Sequence, residues 1–235
     1  MRVVAAIQAR MGSTRLSKKA LRLLAGRPMI LRLWDRLCLA GQLDTVVAMI
    51  PEGDANDILA KVLEHEGIGC VRGPEDDIAE RLRLVAERTS ADAVVRLTGD
   101  CPMVCYGVVD DVVRLWRDHS RADYVSNVYP SRSFPDGLDT EVFSMDLIEF
   151  LASRFDGECR GSPSAWLWAH PEAMRHGSLS HNPDLSALRW TVDTADDLAC
   201  AEIMFRRLPD GFTMDDVLAE FGPRASFGPG EIVQA

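Results

Sequence analysis

The chain lacks most of the short signatures that assign a function on sight. Gly-x-x-x-x-Gly-Lys-Ser/Thr is absent, which excludes a P-loop. Gly-x-Gly-x-x-Gly is absent too, which argues against a dinucleotide fold. Without Gly-x-Ser-x-Gly there is no serine-hydrolase elbow. The six cysteines, at 38, 70, 101, 105, 159 and 200, form no Cys-x-x-Cys pair. Cys101 and Cys105 have no second cysteine or histidine pair at zinc spacing, so free, packing thiols are expected. His170, His176 and His181 are spaced too irregularly for a helical metal face. No apolar run approaches the roughly 20 residues of a membrane span. The N-terminal stretch lacks the charged start, apolar core and cleavage site of a secretory signal, so a cytoplasmic protein is expected. A net charge of −10 with no basic stripe excludes general nucleic-acid binding.

What is present is ordinary for a globular protein: 235 residues, 47% apolar and 26% charged. That length can bury one large domain, or one domain with an appendage. Short valine-rich runs at 3–8, 45–50, 70–71 and 93–97 read as buried strands. Between them, 28–40, 54–66 and 76–88 read as helices, and 106–119 follows as another. In the second helix Ile58, Leu59, Val62 and Leu63 share a face. This alternation predicts an α/β protein whose sheet is mainly parallel and flanked by helices. The second half is less regular. Strands are expected at 124–127, after an Asp136-Gly137 turn, and at "LRWTVD" (188–193). Helices are expected at 144–154, 195–207 and 213–220. Residues 155–188 read as an irregular excursion, and 221–235 as a frayed tail. Asp76-Asp77 and Asp196-Asp197 read as helix N-terminal acids, and Asp110-Asp111 as a solvated helix face. The five tryptophans read as core or interface.

Against this acidic background, "QARMGSTRLSKK" gathers Arg10, Arg15, Lys18 and Lys19 directly after the first strand. Gly12, Ser13 and Thr14 let backbone N–H groups come close to a ligand. Arginine adds a rigid fork of donors and lysine a mobile charge, a set that suits a polyphosphate. A solvated basic loop is the alternative on spacing alone. In parallel sheets ligands gather beyond the carboxyl ends of the strands. Asp100 ends a strand there, and so does Asp193. Two carboxylates can hold Mg²⁺ and leave its other positions to phosphate and water. Taken singly, Asp100 could instead form a turn, and Asp193 could cap the following helix.

"IQARMGSTRL" with Lys19, "RLTGDCP", "DGLDTEVFS" and "LRWTVDTADDL" stand in order between about residues 2 and 208. Together they resemble the cytidylyltransferases called spore coat polysaccharide biosynthesis protein F, relatives of the 3-deoxy-manno-octulosonate and acylneuraminate cytidylyltransferases. The resemblance implies a Rossmann-like nucleotide-diphospho-sugar transferase fold, CTP and Mg²⁺, a sugar-acid-like acceptor and often a homodimer. Residues 1–208 would form the nucleotidyltransferase domain, with an acceptor or dimerisation excursion near 124–188. A short helix and tail would occupy 209–235. Ala9, Arg10, Gly12, Ser13, Arg15, Lys19, Arg72 and Asp100 would bind the nucleotide. Arg15, Lys19 and Asp100 would be catalytic, and Asp100 and Asp193 would hold the metal. Asp136, Asp139 and Glu141 would face the acceptor.

Three departures from the family pattern are visible. Arg-Leu-Pro-Gly-Lys is replaced by Arg15-Leu16-Ser17-Lys18-Lys19, "GDCP" runs on into Met103-Val104-Cys105-Tyr106, and "ECRGSPSAW" stands where Glu-His-Val-Thr-Pro is usual. They leave two alternatives open: another acceptor, such as a sugar phosphate or phosphonate, or a nucleotide-binding subunit without turnover.

Overall fold

The uncharged run Val3–Gln8 forms strand β1 in the computed structural model, which describes residues 1–119, 122–154 and 157–227. A hairpin of β2 (Leu23–Leu24) and β3 (Arg27–Pro28) leads into α1 (Met29–Leu37). Next come β4 (Thr45–Pro51), α2 (Asp57–His65), β5 (Cys70–Gly73), α3 (Ile78–Thr89), β6 (Ala93–Thr98) and α4 (Tyr106–Asp118). The second half supplies β7 (Tyr124–Ser126), β8 (Glu141–Ser144), α5 (Met145–Ser153), α6 (Gly157–Gly161), α7 (Pro163–Ala169) and β9 (His176–Ser178). Helices α8 (Ala195–Arg207) and α9 (Met214–Phe221) follow.

The main sheet runs β5-β4-β1-β6-β8-β7-β9. Only β8 is antiparallel to its neighbours. The chain winds outward from β1 to β5, then returns to place β6 on the other side of β1. That reversal opens a crevice beyond the carboxyl ends of β1 and β6. Period-two alternation builds a core on each face. Val3, Ala5 and Ile7 pack with α1, α4 and α8, while Val4 and Ala6 pack with α3, α5 and α7. Among the described residues no helix is long and apolar enough to cross a membrane.

Several expectations need correction. Residues 155–188 are not simply irregular: 157–178 hold α6, α7 and the edge strand β9, while 155–156 lie outside the described residues. "LRWTVD" is extended but is not a strand of the sheet. Its backbone bonds go to separate segments, since Trp190 N–H donates to Asp136 O, Val192 N–H to Asp100 O, and Arg189 O accepts from Phe227 N–H. Gly137, at φ 112°, makes this close approach possible, because a Cβ there would stand 2.8 Å from the Trp190 carbonyl carbon. The expected frayed tail folds back as far as Phe227, which is buried, and Ala225 O accepts from the Trp190 indole; residues 228–235 lie outside the described residues. Asp110 is buried rather than solvated, where it accepts the Gly41 and Gln42 amides at the turn after α1. Ile58 is half exposed, because α2 turns Leu59 and Leu63 inward instead. Asp77 and Asp197 sit at helix N-termini as expected, and Asp197 completes a capping box with Thr194.

Candidate active site

The loop after β1 alternates anchors with cations. Ala9, Met11 and Leu16 are buried, and the Met11 amide donates to the side chain of buried Asn56 at 2.9 Å. Between these anchors Arg10, Ser13 and Arg15 turn outward. They line a cleft of about 300 Å³ together with Gly12, Thr14 and Lys19. Ala9, expected beside the nucleotide, lines it as well. Lys19 starts a single 3₁₀ turn, Lys19–Leu21, which directs its side chain inward. Lys18 is not among the lining residues, and its backbone is left-handed at φ 55°, ψ 34°.

The cleft floor joins distant parts of the chain. Lys19 Nζ lies 2.8 Å from Asp193 Oδ1 and 3.3 Å from Asp100 Oδ2. Arg15 Nη2 reaches the same Asp193 oxygen at 3.1 Å. Lys19 is only 15% exposed whereas Arg15 is 68% exposed, so the lysine is held in place and the arginine is free to move. The bond from Val192 N–H to Asp100 O, 2.8 Å, fastens the two acidic segments together. Asp193 is fixed from its other side. Its amide donates to Asp197, whose carboxylate is buried and paired with Arg189. Burial alone would raise the Asp100 carboxyl. The Lys19 ammonium and hydrogen bonds from Thr98 and Lys19 outweigh it and hold that group below its ordinary range.

Sequence reasoning missed Gln8, Arg81, Thr98 and Gly99, all of which line the cleft. Arg81 is the most informative of these. It is 3% exposed, donates to the carbonyls of Pro74 and Glu75 at 2.6 and 2.7 Å, and has no carboxylate partner among the described residues. Its place inside α3 gives no local sequence signal, since an arginine there reads as a solvated helix position.

Arg72, expected beside the nucleotide, is not among the residues that line the cleft. Its guanidinium turns away from the cleft toward Asp57, at 2.8 Å, and the Gly53 carbonyl. Glu141, expected on the acceptor side, is not among the lining residues either. It is 4% exposed and bonded to Arg96 and to the Tyr124 hydroxyl, with no face open to a substrate. Asp139 forms a two-pronged pair with Arg132, which also approaches Asp136 at 3.6 Å. Asp136 and Asp100 receive N–H bonds from Trp190 and Val192. Those donors are two residues apart on one edge of an extended segment, about 7 Å along it. The Asp136 carboxyl is pushed up by burial and by Asp139 and Asp100, against the pull of Arg132.

Asp100 and Asp193 would offer a divalent ion two carboxylates, and Lys19 Nζ stands between them. No third histidine, cysteine, aspartate or glutamate joins the two acids in a metal-sized group among the described residues. Two carboxylates suit an ion that keeps water and phosphate oxygens in its other positions.

A family model described as cytidylyltransferase matches residues 4–143, more than half of the chain. The spore coat polysaccharide biosynthesis protein SpsF of Bacillus subtilis is 26% identical over 86% of this chain and 85% of its own length. An uncharacterized protein of Methanocaldococcus jannaschii is 30% identical over 63% of this chain, a match spanning 59% of that protein. A 3-deoxy-manno-octulosonate cytidylyltransferase of Methylobacterium nodulans is 35% identical over 44% of this chain and 42% of its own. Among solved structures, a cytidylyltransferase from Leptospira borgpetersenii superposes with a TM-score of 0.87 at 27% identity, covering 94% of both chains. The family resemblance read from the four sequence blocks agrees with these matches.

Proposed function

The chain belongs to the cytidylyltransferase family of CTP-dependent nucleotidyltransferases, and from that premise we propose that its cleft transfers CMP from CTP to a sugar-acid-like acceptor in surface glycan synthesis. An acceptor oxygen attacks the α-phosphorus, and the bond from that phosphorus to the bridging oxygen of the β-phosphate breaks. Pyrophosphate leaves. The reading extends to a homodimer, as the resemblance implies, and to a cytoplasmic enzyme.

One observation carries the assignment. Lys19 stands between Asp100 and Asp193 on the floor of a cationic cleft at the crossover point of the sheet. In this reading Arg10, Ser13 and the backbone around Gly12 bind the triphosphate. Arg15 and Lys19 neutralise charge growing on the α-phosphate and the leaving group. Asp100 and Asp193 hold Mg²⁺, which when bound draws charge from the phosphate oxygens. No nucleophilic side chain is required, since positioning and charge neutralisation supply the rate. Asp136, bonded to the same edge of the 188–193 segment as Asp100, and Asp139, paired with Arg132, face the acceptor.

Asp100→Ala and Asp193→Ala should each lower pyrophosphate release from CTP by about a thousandfold or more, with the far-UV spectrum unchanged. Turnover like the wild type's in either variant would overturn the metal assignment.

A further inference from the structure

Gln8 is the last residue of β1 and, among the described residues, the one amide side chain that lines the cleft. Its orientation is dictated by a neighbour. Arg96 Nε donates to Gln8 Oε1 at 2.8 Å. A guanidinium has donors and no acceptor, so Gln8 must offer it the oxygen and turn its NH₂ elsewhere. Arg96 is itself immobilised. Its Nη1 pairs with Glu141, whose other oxygen accepts the Tyr124 hydroxyl at 2.6 Å, and that hydroxyl accepts the Trp168 indole N–H at 3.2 Å. Gln8 Nε2 has no acceptor among the described residues, and the residue lines the cleft.

The cleft has two chemically different ends. Lys19 contacts the α1 side of the sheet through its 3₁₀ turn, and Asp193 precedes α8 on that same side. This end holds the paired acids and cations suited to phosphates. Val4 and Ala6 face the α3 side, so Gln8, two residues further along β1, stands on that side too. Arg81 of α3 lines the cleft there. This second end therefore offers donors: the NH₂ of Gln8 and a guanidinium.

We propose that Gln8 is a specificity-determining residue that reads the pyrimidine ring of the bound nucleotide by donating from Nε2. The proposal rests on the nucleotidyltransferase reading above and deepens it. Cytosine presents two adjacent acceptors, O2 and N3, on one edge of the ring. Uracil presents an N3–H donor in the second position. A locked NH₂ complements the first ring and opposes the second. An amide free to flip could serve either ring, so the Arg96 bond is what converts Gln8 into a discriminator. Glu141 thereby acquires a role as a positioning residue, acting on the base through Arg96 and Gln8.

Gln8→Glu tests this with almost no change of shape. The carboxylate still accepts from Arg96, but an oxygen replaces the NH₂. We expect kcat/KM for CTP to fall about tenfold, the value of one hydrogen bond lost with an acceptor left opposed. UTP should lose less, so the CTP/UTP ratio should narrow by up to about tenfold. Equilibrium binding of CTP and UTP without acceptor should show the same narrowing. Gln8→Met, which has neither donor nor acceptor, should fall between wild type and Gln8→Glu. If Gln8 only braces Arg96, Gln8→Glu will change both nucleotides equally, and an unchanged ratio overturns the proposal. A wild-type protein that binds CTP and UTP equally overturns it as well. A wild-type protein that binds neither sinks the nucleotidyltransferase reading itself.

Discussion

Residues 3–119 and residues 122–227 build the same sheet by different means. In the first region the main-sheet strands β1, β4, β5 and β6 are largely apolar runs joined to one another by parallel ladders, so backbone pairing fixes their geometry. In the second the strands are only three or four residues long, and the segments between and after them are tied by side chains: Arg132 to Asp139, Arg189 to Asp197 and the Trp190 indole to Ala225. The first region gives the cationic loop a rigid base. The second delivers Asp193 through a handful of polar contacts, so the candidate site depends on a few residues far from it in sequence.

The largest effect should appear where the two regions meet. Lys19 comes from the first and touches Asp193 of the second. Lys19→Ala should lower kcat/KM for CTP by about 10²- to 10³-fold. Lys18→Ala, which changes a side chain outside the cleft, should stay within about twofold. A reversed order in steady-state kinetics would mean that the loop is read one residue out of register.

The second effect separates the regions by what a core mutation costs each. Phe227 is 2% exposed, and its amide donates to Arg189 O at 2.7 Å. Phe227→Ala should destabilise by about 3 kcal/mol in urea, and it should also slow pyrophosphate release, because the segment it braces carries Asp193. Leu59→Ala, in fully buried α2 packing, should cost a comparable amount of stability and leave turnover close to normal. Equal losses of turnover in the two variants would erase the distinction between a scaffold region and a delivery region.

The pH dependence is smaller and has a defined sign. The folded-state pKa of Asp100 lies below its ordinary value of 3.8, so the carboxylate contributes stability that is fully present above that value. The contribution disappears as pH falls through the folded-state pKa. Asp100→Asn should therefore have a lower urea midpoint than wild type at pH 7, with the difference closing only below about pH 4. A difference that changed between pH 5 and 8 would mean that another group governs the cluster.

The same contrast explains how much could be read from the sequence. In the first region the main-sheet strands and the helices were legible to within about three residues of their ends, because a buried parallel strand writes itself as a valine-rich run and a helix as an apolar stripe. The cationic loop and Asp100 were legible for the same reason, since each follows such a run. In the second region "LRWTVD" has strand composition, yet its backbone partners are three loops, and no local pattern encodes that. Asp110 looked solvated because its helix is amphipathic, while the two amides it accepts come from about 70 residues away. Arg72 and Arg81 mark the limit most clearly. One sits beside a strand end and turns to Asp57; the other hides in a helix and opens on the cleft. Arg72 is turned by a carboxylate 15 residues before it, and Arg81 by the Pro74 and Glu75 carbonyls of the loop that leads into its helix.

The smallest effect concerns the loop itself. Lys18 adopts left-handed backbone angles at the entry to the 3₁₀ turn that aims Lys19 inward. A residue with a Cβ carries a penalty of roughly 1–2 kcal/mol in that region, which glycine avoids. Glycine also gives the unfolded chain more freedom, an opposing term of about 0.4–1 kcal/mol. The difference leaves Lys18→Gly about 0.5 kcal/mol more stable than wild type. Lys18→Ala retains the Cβ and should show no such gain, which makes it the control. Because the Lys18 side chain does not line the cleft, kcat for CTP should be unchanged in Lys18→Gly. A gain in urea midpoint for glycine but not for alanine would locate the strain in the backbone. A loss of turnover in both would show that the Lys18 charge acts on the nucleotide, and would move the phosphate cradle one residue toward the N-terminus.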